Sequence, residues 1–113
     1  MEITFEKSGD ALIIEIAGRL NANSATEFQE QILTKIDAGD NILALNFTQV
    51  DYISSAGLRV LLMAAKKINA SAGKMVLFEL KDQIKEVFDI SGFTQIFQIF
   101  QTKDEAIASF NNL

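Results

Sequence analysis

The apolar positions of this chain change period several times, and each change marks an element. Ile3, Thr4 and Phe5 alternate outward and inward, and Lys7-Ser8-Gly9-Asp10 supplies turn chemistry ahead of the run Ala11-Leu12-Ile13-Ile14-Glu15-Ile16-Ala17. This predicts two strands joined as a hairpin, the second closed by Gly18. Ala25, Phe28, Ile32 and Ile36 then recur near helical spacing behind Asn23 and Ser24, both good N-cap residues, until Gly39-Asp40-Asn41 stops the pattern. Ile42-Leu43-Ala44-Leu45-Asn46-Phe47 is a short apolar run bounded by turn signals, the pattern of a central strand buried on both faces. Leu58, Leu61, Leu62, Ala65 and Ile68 share one face of a helix that begins near Ser55 and leaves through Ala70-Ser71-Ala72-Gly73. A strand from Met75 to Leu80 follows, then Ile84, Val87 and Phe88 at helical spacing with a stop at Ser91-Gly92. A short last strand from Ile96 to Phe100 and a closing helix carrying Ala106, Ile107 and Phe110 complete the series.

The order β-β-α-β-α-β-α-β-α predicts an α/β fold: a mostly parallel central sheet, one antiparallel N-terminal hairpin strand and about four helices. No linker or repeat interrupts it, so residues 1–113 are read as a single domain. Functional groups in such sheets gather beyond the carboxyl ends of the strands, which directs attention to the loop from Asp51 to Ser55.

Composition narrows the chemistry. With no cysteine and no histidine, the chain has no thiolate, no Cys-type zinc site and neither the commonest general base nor the commonest transition-metal ligand. No metal or cofactor is expected. The formal charge of −5 disfavours nucleic acid as a partner. No apolar stretch approaches the ~18 residues of a membrane span, and the start Met1-Glu2-Ile3-Thr4 lacks the pattern of a secretory signal, so a cytoplasmic protein without membrane insertion is expected.

Within the loop, Ser54 and Ser55 stand at a helix mouth, where unpaired amides and the positive end of the helix dipole suit a cap or a phosphate. A nucleophilic serine needs a base, and Lys66 and Lys67 lie roughly three turns along the same helix, so a small serine hydrolase is disfavoured. Asp51 as a phosphoacceptor of the receiver type is also disfavoured, because a hairpin turn stands where a receiver has its acidic pair. Arg59, Val60 and Met63 point away from the leucine face and are read either as an exposed docking patch or as packing against a neighbouring element. Phe93 is read either as a lid on the core or as a partner contact.

Asp51 to Leu62, with Ser55-Ala56-Gly57-Leu58, resembles the signature loop and helix of bacterial anti-sigma factor antagonists, the stand-alone STAS domains. Ala17-Gly18-Arg19-Leu20-Asn21-Ala22-Asn23-Ser24-Ala25 resembles the family's second-strand exit, and Asp89-Ile90-Ser91-Gly92-Phe93 its late helix end. The resemblance implies a binding module, not an enzyme. Its partner would be an anti-sigma factor that is also a serine kinase of the histidine-kinase-like ATPase fold, with a PPM-type phosphatase reversing the modification. Alignment on Gly57-Leu58 makes Ser55 the phosphorylated serine, with Ser54 as the alternative. On this reading Asp51 shapes the loop by turn bonding, Ser54 caps the helix, Gly57 lets a partner approach and Leu58 anchors the helix. Asn21, Asn23 and Ser24 are further candidates for the same face. The chain departs from many members in having Ser54 where they have an acidic residue and Asn21 where they have aspartate. A STAS accessory subunit of a lipid-transport ABC complex is the alternative function.

Overall fold

The computed structural model describes residues 1–112 and places the elements in the predicted order. They are β1 (Glu2–Ser8), β2 (Ala11–Leu20), α1 (Ala22–Asp37), β3 (Ile42–Ile53), α2 (Ser55–Ala70), β4 (Lys74–Phe78), α3 (Asp82–Ser91), β5 (Gln98–Phe100) and α4 (Lys103–Ser109). Single 3-10 turns occupy Phe93–Gln95 and Phe110–Asn112. The sheet order is β1-β2-β3-β4-β5. β1 and β2 pair antiparallel through the two-residue turn Gly9-Asp10, where Gly9 takes φ +62°. The other three pairs are parallel, each joined by a helix.

Strand residues alternate between two faces, and that alternation sorts the helices. Leu12, Ile14, Ile16, Leu43, Leu45, Phe47, Met75 and Leu77 point into one core with Phe28 and Ile32 of α1, Leu61 and Ile68 of α2, and Ile84 and Phe88 of α3. Ile13, Ala44, Val76 and Phe78 point the other way and meet Ala106 of α4. The first half of β3 is therefore buried on both sides, as its unbroken apolar run predicts.

β3 does not end at Phe47; it runs on to Ile53. Between Glu15 and Ala17 of β2 the partners move from Asn46 to Gln49, and between Gly18 and Arg19 they move from Val50 to Tyr52. Each interval gives β3 one extra residue, a bulge. Inward positions thereafter fall three apart, at Phe47, Val50 and Ile53, and the pairs Thr48-Gln49 and Asp51-Tyr52 face solvent. Asn46 braces the first bulge, its Oδ1 accepting the Thr48 N–H at 2.9 Å. β2 likewise passes Gly18, whose φ of +106° belongs to a bulge rather than a strand end, and reaches Leu20. β4 is shorter than predicted and stops at Phe78, because Glu79 at φ +57° turns the chain out of the sheet. The final strand begins at Gln98, since Ile96 belongs to the turn after the first 3-10 segment.

Candidate functional site

The extension of β2 and β3 beyond the rest of the sheet sets the position of the site. β4 pairs with β3 only as far as Asn46, so the remaining length of β3 is paired on the β2 side alone. At its tip the chain passes into α2 through one residue. The Ser54 N–H donates to the Leu20 carbonyl at 2.9 Å, its Oγ accepts the Gly57 N–H at 3.3 Å, and its carbonyl accepts the Leu58 N–H at 3.0 Å. The Ser54 N–H, carbonyl and hydroxyl oxygen are thus engaged, and Ser54 is the N-cap of α2. Ser54→Ala is expected to cost about 1 kcal/mol of stability in urea denaturation, while Ser54→Asp, which also caps and complements the dipole, should cost less.

Ser55 is the first residue of α2 and is exposed, and its hydroxyl makes no hydrogen bond among the described residues. Helix geometry leaves the N–H groups of Ser55 and Ala56 without intrahelical acceptors. The first turn holds no acidic residue, and Arg59 stands one turn farther along. The mouth of α2 is therefore a locally positive spot on an acidic protein.

Several residues near the serine have roles other than those expected. Gly57 is buried, and a Cβ there would lie 2.8 Å from Leu20 Cγ and 3.0 Å from Ile53 Cγ1, so its smallness serves helix-to-strand packing rather than approach by a partner. Val60 is 5% exposed and belongs to the core, forming part of the floor of the groove between α1 and α2 rather than an exposed patch. Leu58 is buried and anchors the helix as expected. Half-buried Met63 and exposed Arg59 remain accessible, and with Ala22, Thr26, Gln29 and Ala56 they line a shallow groove between α1 and α2. Leu62 and Ala65 are only half-buried, and Ala64 takes the fully buried place.

Asp51 is not a turn residue. It lies within β3, exposed, and pairs with Lys81, the residue preceding α3. Such an exposed pair contributes at most about 1 kcal/mol. Tyr52 beside it supports Arg19, whose guanidinium sits 4.3 Å from the ring centre. The cap of α1 is Asn21 rather than Asn23 or Ser24: Asn21 Oδ1 accepts the Ser24 N–H at 3.0 Å, and Ser24 Oγ accepts the Asn21 N–H at 2.9 Å. The Ser24 hydroxyl also donates to the Arg19 carbonyl at 2.7 Å, tying the α1 start to the end of β2. Asn23, in the first turn, is exposed. Phe93 is a lid on the core, half-buried and edge-on to Phe88 at 6.2 Å. Arg19, Tyr52 and Lys81 escape the sequence reading; for Tyr52 the signal is the pair of polar residues between successive apolar positions from Phe47 to Ile53, and for Lys81 there is none.

Among the described residues, none is placed to act as a base toward Ser55. Lys66 lies about 16 Å along the helix, and Lys67 is directed to Asp37 at 3.6 Å. Among the described residues no cluster of three or more metal-ligating side chains occurs, and no helix is long and apolar enough to cross a membrane.

A mostly parallel five-stranded sheet with an antiparallel first strand and three helices on one face is the arrangement of the STAS domain. The STAS family model matches residues 2–106, and the chain belongs to that family. It is 38% identical over 110 residues to BtrV of Bordetella bronchiseptica, which carries an anti-sigma factor antagonist designation, covering 97% of this chain and 95% of that protein. The anti-sigma-B factor antagonist of Listeria monocytogenes is 29% identical over 100 residues, 88% of each chain. The fold also matches the solved anti-sigma factor antagonist SpoIIAA. Its unphosphorylated form gives a TM-score of 0.85 at 22% identity, covering 99% of this chain and 98% of that one. Its phosphorylated form gives 0.76 at 22% identity, covering 96% and 99%.

Proposed function

We propose that this chain is an anti-sigma factor antagonist, a binding module whose hold on its partner is controlled by phosphorylation of Ser55. The observation that carries the reading is the division of labour between the two serines: the Ser54 hydroxyl oxygen accepts the capping bond from Gly57, and Ser55 presents an exposed hydroxyl without a hydrogen bond among the described residues. Family membership and relatives designated anti-sigma factor antagonists support the same reading, as does the existence of SpoIIAA in two phosphorylation states.

The partner is an anti-sigma factor that acts as the serine kinase, of the histidine-kinase-like ATPase fold, and a PPM-type phosphatase resets the switch. Asn23, Asp51, Arg59 and Met63 form the accessible contact face around Ser55. Asn21, Ser24, Ser54, Gly57, Leu58, Val60 and Phe93 hold that face in shape. A phosphate adds about −1.5 to −2 charge, so it turns the locally positive mouth of α2 negative. The two unpaired amides and the dipole accommodate it without refolding. The partner surface, which docks against the positive mouth, meets a bulky and strongly hydrated group of the opposite sign.

The test is incubation of the chain with candidate serine kinases and ATP, followed by mass spectrometry of the peptide spanning Ser54 and Ser55. Phosphate is expected on Ser55, retained in Ser54→Ala and lost in Ser55→Ala. Modification confined to Ser54, or none with any kinase encoded beside this chain, overturns the assignment.

A further inference from the structure

Arg59 stands four residues after Ser55, one helical turn along the same face of α2. Its side chain is exposed and has no carboxylate partner among the described residues, whereas Lys7, Lys67 and Lys81 each pair with an aspartate. Arg19, the other arginine at this end of the sheet, is laid over Tyr52. The position of Arg59 follows from the packing of its neighbours: Leu58 and Val60 are turned into the core, and this leaves Arg59 on the rim of the groove between α1 and α2.

We infer that Arg59 is an internal clamp for phosphorylated Ser55, an inference that rests on Ser55 being the switch. Residues four apart on a helix bring their Cβ atoms to about 5–6 Å, and an anion placed N-terminal to a cation is the favoured orientation. The guanidinium fork suits phosphate oxygens, and charge-assisted bonds of this kind are about twice as strong as neutral ones. The clamp does two things at once. It fixes the phosphate at the helix mouth, and it withdraws Arg59 from the groove rim, where it faces the partner in the unmodified protein. Modification thus removes a positive contact as well as adding a negative group.

Phosphoserine is installed at position 55 by genetic encoding, so that the clamp is read whether or not any kinase acts there, and the kinase assay above judges the switch separately. The second ionisation of the phosphate is followed by 31P NMR against pH in the full chain. In the parent it should fall roughly half a pH unit below that in Arg59→Gln, about a threefold change in ionisation constant, with Arg59→Lys in between. Lys66→Gln removes the same charge about two turns farther on and should leave the titration where it is in the parent. Coincident titrations of the parent and Arg59→Gln, or an equal displacement by Lys66→Gln, overturn the clamp.

Discussion

Gly57→Val is expected to lower the stability of the isolated chain by about 3 kcal/mol, with no partner present. A Cβ at this position lies 2.8 Å from Leu20 Cγ, 3.0 Å from Ile53 Cγ1 and 3.1 Å from Leu20 Cδ2. Neither neighbour has open space to retreat into, because Leu20 is wholly buried and Ile53 nearly so. They close the ends of β2 and β3, and the Ser54 N–H is fastened to the Leu20 carbonyl, so displacing Leu20 also pulls at the cap of α2. Alanine already places this Cβ against Leu20 and Ile53, and its better helix propensity offsets only part of that conflict, so Gly57→Ala should also destabilise, by less than valine. Valine adds two methyl groups, and the conflict dominates. With a urea slope of about 1–1.5 kcal/mol/M for a chain of this size, the valine variant should unfold about 2 M earlier than the parent. A valine variant as stable as the parent but unable to bind its partner would return Gly57 to the role of a partner contact.

The same residues show how far the sequence reaches. Period and turn chemistry are local properties, and from them came the order of elements, the hairpin and the burial of β3 on both faces. The start of α2 was also legible, because two small polar residues before a helical pattern leave few places for a cap. What the sequence concealed depends on pairing between distant segments. The bulges of β3 exist only relative to β2, and they replace a period of two by a period of three, so the strand reads as ending near Phe47 and Asp51 to Ser55 as a loop. Read as part of a loop, Asp51 is a turn residue, and its ion pair with Lys81, thirty residues on, has no signal in the sequence. For a related reason the sequence leaves Val60 open between an exposed patch and packing on a neighbouring element, and the structure shows the packing. A single helix wheel places it off the leucine face, but α2 packs against α1 as well as the sheet, which widens the buried arc. Asn21 went unrecognised as a cap because Asn23 and Ser24 are equally good by type, and only the reciprocal bonds distinguish them.

Phosphorylation of Ser55 should weaken binding of the partner kinase by at least about 100-fold, equivalent to roughly 2.7 kcal/mol. Ser55→Ala is expected to bind within a few-fold of the unmodified parent, and Ser55→Asp to fall between them. The magnitude follows from where the cost arises. Ser55 is exposed in the free chain, so the phosphate is fully hydrated there and is further stabilised by the amides of the helix mouth. Both contributions favour the free state. Docking a partner strips the hydration, and breaking a favourable charge pattern at a close interface commonly costs 2–5 kcal/mol. Aspartate carries half the charge and two acceptor oxygens on a shorter stem, so it imitates only part of that cost. The fold itself should scarcely respond, and the thermal midpoint of the phosphorylated chain should match or slightly exceed that of the parent. Calorimetric titration of the four species with the kinase, beside their melting curves, separates a change at the interface from damage to the domain. Equal affinities for the parent and phosphorylated chains would refute the switch. A large loss of affinity accompanied by a lowered midpoint would place the effect in the fold, against the tolerance that the helix mouth predicts.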